Sequence, residues 1–378
     1  MYGLTNNATA NPTERSNTVS KPSNARVKCE ICGTKAHVLE AHILKAHDMT
    51  LAEYLDKFPG ASLLSETAKA FLARQEAELL NMKTAQPVKT LFGFTPFDGV
   101  DTIQAFENSK SSTPVVDPAY CFRRSELKMV LYAIGTRKRV LLSGPTGSGK
   151  TSVIQQTAAR LNWGYTRFGC DSDLSRSDLV GLWTLRGEET VFQYGPLVRA
   201  MREGHILVID EWDVANPSVA MLLQPVLEGE PFYLAETGEL ISPHEDFRIF
   251  ATANTIGLGD ESGLYSGTQP QNYASLDRFS IVWMVDYASK VDERKVLKAR
   301  TKLPDGDIEK MLDVAGLVRK AFVAQEIMTT MSTRTLVNLC DLTVDFGNAA
   351  LAFEAGYLNK MNKEDRGVVK ELIQRIFG

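Results

Sequence analysis

A glycine-rich segment near the middle of the chain has the residue types and spacing of a phosphate-binding loop. The pattern G-x4-G-K-T follows directly on an apolar, strand-like run at residues 140–143. Glycines allow backbone N–H groups to surround phosphates, and the positive end of the helix that follows favours anions. We expect Lys150 to reach the β- and γ-phosphates of ATP and Thr151 to hold Mg²⁺. The predicted nucleotide-binding residues of this loop are Gly144, Pro145, Thr146, Gly147, Ser148, Gly149, Lys150 and Thr151.

Two adjacent carboxylates follow a second apolar run, at residues 206–209. A carboxylate at the end of a buried strand can bind Mg²⁺, and the next one can polarise the water that attacks a γ-phosphate. We therefore assign Asp210 to the nucleotide-bound metal and Glu211 to the general base. Of the next two residues, Trp212 is assigned to packing and Asp213 to a solvated or helix-capping carboxylate.

Two cysteines and two histidines near the N-terminus form a second constellation, with the spacing C-x2-C-x9-H-x4-H. Thiolates on one turn and imidazoles at a helix end can converge on one ion, as in tetrahedral zinc sites. Metal binding would then stabilise a module whose core is too small to fold alone. The predicted Zn²⁺ ligands are Cys29, Cys32, His42 and His47, whereas His37 is assigned to a helix surface.

Short apolar runs recur along the centre of the chain, with helical or irregular stretches between them. They lie at residues 140–143, 165–168, 206–209, 247–253 and 281–285. This alternation predicts an α/β fold with a parallel sheet flanked by helices. Beyond residue 286, apolar residues such as Ile308, Met311 and Leu312 recur at helical spacing, which predicts a C-terminal helical lid.

The patterns divide the chain into five segments. The first is too poor in apolar side chains to form a core, which predicts disorder. Residues 64–82 place apolar side chains near one helical stripe, after which the periodicity is lost. The predicted segments are a disordered tail at 1–25, a zinc-finger-like module at 26–60, a helical arm and linker at 61–114, the α/β core at 115–286 and the lid at 287–378.

Composition and charge narrow the possible classes of protein and of binding partner. The chain of 378 residues is 44% apolar and 23% charged, which is ordinary for a soluble globular protein. It has neither the apolar run of a membrane span nor that of a secretory signal, so we expect a cytoplasmic protein. The chain has five cysteines, an odd number, and Cys121, Cys170 and Cys340 lie far apart, so we expect no disulfides. The net charge is −4, and residues 26–60 carry five basic and five acidic side chains, so nucleic acid is not an expected partner.

Together these motifs resemble an AAA+ ATPase, and further segments resemble the ATPase subunits of aerobic cobaltochelatase within the MoxR-like group. The resemblance is carried by Ala251-Thr-Ala-Asn254-Thr-Ile-Gly-Leu-Gly-Asp260, by Ser275-Leu-Asp-Arg278-Phe279, and by residues 171–181, 195–197 and 262–267. It runs from about residue 115 to the C-terminus. It implies an AAA+ core with a helical lid, assembled into a hexameric ring that hydrolyses Mg-ATP.

The resemblance also implies roles for three further residues. Asn254 matches the sensor 1 position, whose amide orients the attacking water beside Glu211. Arg278 matches the arginine finger, which neutralises charge at the γ-phosphate of a neighbouring subunit. Arg334 matches sensor 2 on the lid, a phosphate-facing cation that acts either within its own subunit or across the interface.

Two more segments suggest contacts with other proteins. Residues 178–196 predict a β-hairpin around Gly187, and in the MoxR-like group such a hairpin interrupts a helix and faces the ring centre or a partner. The N-terminal module is similar to the Ros/MucR zinc fingers, but its neutral charge favours a structural or docking role over DNA binding. By resemblance, the partners are a protein with a von Willebrand-type domain and a large chelatase subunit.

These expectations leave three functions open. The first is the ATPase component of a cobaltochelatase-like complex that inserts cobalt into a corrin-type tetrapyrrole. The second is a MoxR-like chaperone or remodelling ATPase that acts on a von Willebrand-domain partner without a tetrapyrrole. The third, a DNA-associated motor recruited by the zinc finger, is the least supported because the charge of the finger is unfavourable.

Overall fold

The computed structural model describes residues 25–99, 101–255, 268 and 273–378. The chain divides after Asn81 into two compact units. Apart from Ala25, the predicted tail lies outside the described residues. Residues 256–267, which belong to the segments that resemble cobaltochelatase ATPase subunits, also lie outside them. Within the described residues, every helix is too short or too polar to span a bilayer.

The first unit begins with two short strands and a helix. Strand β1 (Val27–Lys28) pairs antiparallel with β2 (Lys35–Ala36), and α1 (Glu40–His47) follows. Two further helices complete the unit, α2 (Leu51–Lys57) and α3 (Glu66–Leu80). Both begin at a hydroxyl side chain that accepts a backbone N–H of the first turn, which satisfies a donor that the helix leaves unpaired.

The apolar core of this unit is small. Its fully buried side chains are Cys29, Leu39, Ile43 and Tyr54. Helix α3 forms where residues 64–82 predict it, but Phe71, Leu72 and Leu79 of the predicted stripe are exposed. A core of this size needs additional stabilisation, of the kind that a structural metal supplies.

The second unit begins with a strand–helix–strand segment, made of β3 (Lys83–Pro87), α4 (Val88–Phe92) and β4 (Thr102–Phe106). The two strands pair antiparallel. The prediction of a linker here is wrong, because apolar side chains of this segment pack into the core of the central sheet. The segment changes from strand to helix and back within 25 residues. Each element is therefore too short to show a clear periodicity in the sequence. The side chains that it buries there are Val88, Phe92, Ala105 and Phe106.

The rest of the second unit mixes helices and strands as far as Met284 and is helical thereafter. In chain order, its elements are α5 (Arg124–Thr136), β5 (Val140–Ser143), α6 (Lys150–Arg160), β6 (Tyr165–Gly169), α7 (Arg176–Val180), β7 (Gly181–Arg186), β8 (Glu189–Tyr194), α8 (Pro196–Glu203), β9 (Ile206–Asp210), α9 (Pro217–Glu228), β10 (Phe232–Leu234), β11 (Glu239–Ile241), β12 (Arg248–Ala253), α10 (Tyr273–Asp277), β13 (Ile281–Met284), α11 (Lys290–Arg300), α12 (Asp305–Val323), α13 (Thr333–Phe346), α14 (Ala349–Gly356) and α15 (Lys363–Phe377).

Five parallel strands form the central sheet, in the order β13-β5-β12-β9-β6. They coincide closely with the five apolar runs, so the predicted α/β fold is confirmed. Every residue of β5, β9 and β12 is buried, as expected for parallel strands with helices on both faces. Because these three strands are neighbours and run parallel, their carboxyl ends meet at one edge of the sheet. Ligands bind at this edge in open α/β sheets.

The last five helices, α11 to α15, form the predicted helical lid. Ile308, Met311 and Leu312 of α12 are buried in its core, as their spacing predicts. Leu372 and Ile373 of α15 face the same core. The lid therefore has an apolar core of its own.

Two β-hairpins extend from the second unit. The predicted hairpin is confirmed: β7 and β8 pair antiparallel around a turn at Gly187, between helices α7 and α8. Its side chains Leu182, Trp183 and Leu185 are exposed. A second hairpin, β10–β11, was not predicted, because arms of three residues are too short to show a clear alternation.

Candidate nucleotide site

The phosphate-binding loop connects β5 to the N-terminus of α6. At Gly144 the backbone φ is 151°, and a Cβ atom there would lie 1.9 Å from the carbonyl oxygen of Val285, so the position requires glycine. Helix α6 begins at Lys150, and its first-turn N–H groups are therefore available to an anion. Val153 and Ala158 are buried, and they pack in the same core as Val140 and Leu142 of β5.

The ammonium group of Lys150 lies inside this loop. Its Nζ atom donates hydrogen bonds to the carbonyl oxygens of Gly144 at 2.7 Å and Pro145 at 3.0 Å, and to Oδ1 of Asn254 at 3.1 Å. Burial lowers the pKa of Lys150 to about 8, although the nearby carboxylate of Asp213 acts in the opposite direction. All three acceptors are neutral, so the negatively charged oxygens of a polyphosphate would be stronger partners for this desolvated cation.

Asp210, at the end of β9, lies beside the hydroxyl group of the loop. Thr151 Oγ1 donates to Asp210 Oδ1 at 2.9 Å, and the hydroxyl of Thr252 donates to the same oxygen. Asp210 Oδ2 is paired with the guanidinium of Arg167. Hydroxyl and carboxylate oxygens are the hard ligands that Mg²⁺ takes in nucleotide sites, together with water and phosphate. Thr151 and Asp210 therefore fit the ion that the sequence predicts.

Glu211 leaves the sheet in a different direction from Asp210. Its backbone adopts a left-handed conformation, with φ of 56°, and its side chain is exposed. Its backbone N–H donates to Thr252 Oγ1 at 3.4 Å, so one hydroxyl contacts both residues of the acidic pair. Sequence reasoning missed Thr252 and Arg167; the available signal was a polar residue within each otherwise strand-like run.

The role predicted for Asp213 is wrong. This carboxylate is fully buried, and it does not cap a helix. Its Oδ2 atom accepts the backbone N–H groups of Asn254 at 3.0 Å and Thr255 at 2.9 Å, and the hydroxyl of Thr255 at 3.1 Å. A short 3₁₀ turn at Trp212–Val214 directs the side chain inward, which the sequence pattern does not reveal. Trp212 is buried against Phe279, in agreement with its assignment to packing.

A cavity of about 510 Å³ opens beside the phosphate-binding loop, between the start of α5 and the lid. Its volume is in the range of small-molecule sites. Residues of both the loop and α13 line it, so a nucleotide bound to the loop would lie against the lid. Its lining includes Tyr120, Phe122, Glu126, Gly147, Ser148, Gly149, Lys295, Arg334, Asn338 and Asp341.

The lid contacts the phosphate-binding loop directly. A Cβ atom at Gly147 would lie 2.6 Å from Cβ of Ser332, the residue that caps α13. Arg334, in the first turn of α13, is exposed and lines the cavity. No ion pair within the described residues holds its guanidinium. The structure thus brings the predicted sensor 2 residue to the same cavity as the loop.

Arg278 does not line the nucleotide cavity of its own chain. Its Nε atom donates to Oε1 of Glu228 at 2.7 Å, and one of its terminal nitrogens donates to the carbonyl of Ala274 at 2.7 Å. None of its contacts among the described residues is with the phosphate-binding loop or the acidic pair. Of the predicted catalytic residues, Glu211, Asn254 and Arg334 therefore surround the loop, and Arg278 lies apart from it.

The four predicted zinc ligands converge in the first unit. Their ligand atoms all lie within 4.8 Å of one another. Sγ of Cys32 is 3.1 Å from Nε2 of His42, and Sγ of Cys29 is 3.5 Å from Nε2 of His47. Hydrogen bonding to Thr34 lowers the pKa of the Cys32 thiol to about 6, which favours the thiolate that a metal needs. Two sulfur and two nitrogen donors at this spacing fit a tetrahedral Zn²⁺ ion.

Two neighbouring side chains support this cluster. The hydroxyl of Tyr54 accepts the backbone N–H of Glu30 at 2.8 Å and lies 3.9 Å from Sγ of Cys29. His37 is not among the converging groups; its Nδ1 atom lies 2.8 Å from Oγ of Ser65, where a β-bridge joins the two segments. Its assignment to a helix surface is wrong, because α1 begins only at Glu40.

Comparison with known proteins extends these findings. Residues 139–269 match the AAA domain family, dynein-related subfamily, and residues 293–376 match the C-terminal family of CbbQ, NirQ and NorQ. The aerobic cobaltochelatase subunit CobS of a Sinorhizobium species is 39% identical over 293 residues, which span 74% of this chain and 88% of CobS. Uncharacterized proteins of Staphylococcus haemolyticus and Staphylococcus aureus are 34% and 33% identical over 220 residues, 54% of this chain and 78% of each relative.

The two family matches fall on the parts of the second unit that surround the cavity. The first contains the phosphate-binding loop and the acidic pair, and the second contains most of the lid. An AAA domain of this kind binds ATP with Mg²⁺ and hydrolyses it. The chain is therefore an ATPase, and it belongs to the family of MoxR-like AAA+ ATPases that includes the aerobic cobaltochelatase subunit CobS.

Proposed function

We propose that this chain is the ATP-hydrolysing component of a cobaltochelatase-like complex, which inserts cobalt into a corrin-type macrocycle. The observation that carries the proposal is the 39% identity to CobS over 88% of that subunit. The partners would be a large chelatase subunit and a protein with a von Willebrand-type domain. The chain itself would form a ring, with six subunits.

The proposed hydrolysis uses residues at the carboxyl edge of the sheet. Lys150 and the N–H groups of the loop bind the β- and γ-phosphates, and Thr151 and Asp210 would hold Mg²⁺, which would neutralise charge on the phosphate oxygens. The exposed carboxylate of Glu211 accepts a proton from the attacking water. Asn254 orients that water, and the position of its amide beside Lys150, at 3.1 Å, supports this role.

Two arginines would complete the site from other elements. Arg334 contacts the phosphates from the lid, supported by its place on the cavity wall. Arg278 acts on the nucleotide of a neighbouring subunit, because its own chain keeps it paired with Glu228 away from the loop. Assembly into a ring would then be a requirement for fast hydrolysis.

The first unit would hold one Zn²⁺ ion through Cys29, Cys32, His42 and His47. The ion would supply the cross-links that the small core lacks. Residues 26–60 have equal numbers of acidic and basic side chains, so we assign the unit to docking or stability rather than to nucleic acid. The exposed apolar side chains of the β7–β8 hairpin would contact the ring centre or a partner.

The match of the lid to the CbbQ, NirQ and NorQ C-terminal family favours a second candidate. In this alternative, the ring remodels a partner that carries a von Willebrand-type domain, and no tetrapyrrole is involved. The nucleotide site would work in the same way, and only the target would differ.

One reconstitution separates the two candidates. The full chain is combined with ATP, Mg²⁺, Co²⁺, a metal-free corrin and the candidate large and von Willebrand-domain subunits, and cobalt insertion is followed by the change in corrin absorbance. Insertion that needs this chain, and that stops with Glu211→Gln, is the expected result. Stimulation of ATP hydrolysis by the von Willebrand-domain protein alone, without insertion in the complete mixture, would favour the remodelling ATPase. Absence of ATP hydrolysis in every mixture would contradict both.

A further inference from the structure

An ion pair links the edge strand of the sheet to the carboxylate of the nucleotide site. Arg167 lies in β6, where it is in register with Val208 of β9, and its guanidinium is paired with Oδ2 of Asp210. The side chain of Arg167 is 54% exposed, whereas that of Asp210 is only 9% exposed. The arginine therefore reaches from the protein surface to a nearly buried acid.

Both oxygens of Asp210 are engaged in this arrangement. Oδ1 accepts the hydroxyls of Thr151 and Thr252, and Oδ2 is occupied by Arg167. Mg²⁺ keeps most of its water in nucleotide sites, and those waters need carboxylate oxygens as acceptors. For Asp210 to serve such a hydrated ion, Arg167 has to share or release Oδ2.

The charge balance of the site depends on the same residue. Three carboxylates, Asp210, Glu211 and Asp213, lie near Lys150, as does the cation Arg334. Arg167 adds a positive charge that acts directly on Asp210. Without it, the site would be more negative and would attract a divalent cation more strongly.

We propose that Arg167 is a positioning residue, which fixes the Asp210 carboxylate in the nucleotide-free site and sets the Mg²⁺ concentration at which nucleotide binds. The inference rests on the assignment of Asp210 to Mg²⁺ in the proposed function. Arg167 acts through Asp210 and does not contact the phosphates. Its removal makes Mg²⁺ bind more readily and leaves the carboxylate less restricted.

The test is an equilibrium binding measurement that does not depend on turnover. A fluorescent ATP analogue is titrated with Mg²⁺ in the presence of the full chain carrying Glu211→Gln, which prevents hydrolysis. Adding Arg167→Gln should lower the Mg²⁺ concentration at half-maximal binding by about tenfold, the effect of one unit charge on a divalent ion through water at about 6 Å. Arg167→Lys keeps the charge and should stay within about twofold of the parent.

A matched control removes another arginine from an ion pair. Arg366 pairs with Glu354 within the lid, so Arg366→Gln should leave the Mg²⁺ midpoint unchanged. Thermal unfolding without nucleotide shows whether each variant is folded. If Arg167→Gln is not folded, Arg167→Met, which removes the same charge, takes its place. An unchanged or raised midpoint in the folded neutral variant would overturn the inference, as would an equal shift with lysine. If the parent protein shows no Mg²⁺-dependent nucleotide binding, it is the proposed function that fails.

Discussion

The buried carboxylate of Asp213 accepts the backbone N–H of Asn254 at 3.0 Å, and so joins the segment after β9 to the end of β12. The amide of Asn254 in turn accepts a hydrogen bond from Lys150. The residue that we assign to water orientation is thus held from two sides. The position of Asn254 thus depends on Asp213, which is not itself hydrogen-bonded to the phosphate-binding loop.

Removal of this acid should therefore affect turnover more than binding. Asp213→Ala leaves the N–H groups of Asn254 and Thr255 without their acceptor, and a displacement of about 1 Å at a catalytic residue costs about a hundredfold in rate. We expect kcat for ATP hydrolysis to fall by about ten- to a hundredfold with a smaller change in nucleotide affinity. Asp213→Asn retains an acceptor oxygen and should recover part of the loss. A wild-type kcat in a folded Asp213→Ala protein would contradict this role.

Lys150 should give nucleotide binding a distinct pH dependence. Burial lowers the pKa of Lys150 to about 8, and only its protonated form attracts phosphate. As the pH rises above 8, the free protein loses this proton, and affinity should fall by up to about tenfold per pH unit. The measurement is the Kd of a fluorescent ATP analogue between pH 7 and pH 9.5.

Two substitutions check this assignment. Lys150→Arg stays charged throughout that range, so any remaining affinity should not show the decline. Lys150→Ala should weaken binding by about a hundredfold or more, because two charge-assisted hydrogen bonds of about 1.5 kcal/mol each are lost. Equal pH slopes for wild-type and Lys150→Arg proteins would assign the titration to another group.

Glu211→Gln should separate binding from hydrolysis. The amide is nearly the same size but cannot accept a proton, and loss of a general base costs about a hundred- to ten-thousandfold in kcat. We expect normal nucleotide affinity and trapped ATP, detected by filter binding and by phosphate release. Wild-type turnover in this variant would show that another group activates the water.

Arg278 should act between subunits. Arg278→Ala should lower kcat on the order of a thousandfold or more while each subunit still binds ATP. Mixing it with Glu211→Gln subunits should restore activity, because each defective subunit then supplies what the other lacks. Failure of every mixing ratio would argue against action in trans.

The ion pair of Arg278 offers a more subtle test. Glu228→Gln keeps the size of the partner but weakens its hold on Nε of Arg278. We expect a changed dependence of turnover on protein concentration, with unaltered nucleotide affinity in the isolated chain. Identical concentration curves would assign Glu228 a purely structural role.

Zinc content can be measured independently of ATP hydrolysis. We expect one Zn²⁺ per chain by elemental analysis, lost in Cys29→Ser and His42→Gln proteins. A strong chelator should also make residues 25–81 sensitive to protease, because metal binding is coupled to folding in small modules. His37→Gln is the matched control, since His37 faces Ser65 rather than the cluster. Retention of zinc by His42→Gln would exclude the proposed ligand set.

The sequence predicted those parts of the molecule in which one local pattern determines the structure. The phosphate-binding loop is defined by its own glycines and lysine, and each strand of the central sheet by a short apolar run. The cluster of two cysteines and two histidines was predicted as a set because its four residues lie within one short stretch.

The remaining features depend on contacts between distant parts of the chain. The contacts of Thr252 and Arg167 with Asp210 could not be predicted, because they depend on the strand order, in which β12 and β6 lie on either side of β9. The sequence did not predict the burial of Asp213, because that burial depends on the turn at residues 212–214 and on the backbone of residues 254 and 255. The segment with β3 and β4 resembled a linker, since each of its elements is short and the core that buries its apolar side chains is formed by later parts of the chain.

The contact between Gly147 and Ser332 sets a limit on independent movement. With 2.6 Å between the serine Cβ and the place where a glycine side chain would begin, there is no space for even a methyl group between loop and lid. A larger residue at position 147 would therefore press against the first turn of α13. That turn also carries Arg334, so the packing of the loop against Ser332 bears directly on where this arginine lies.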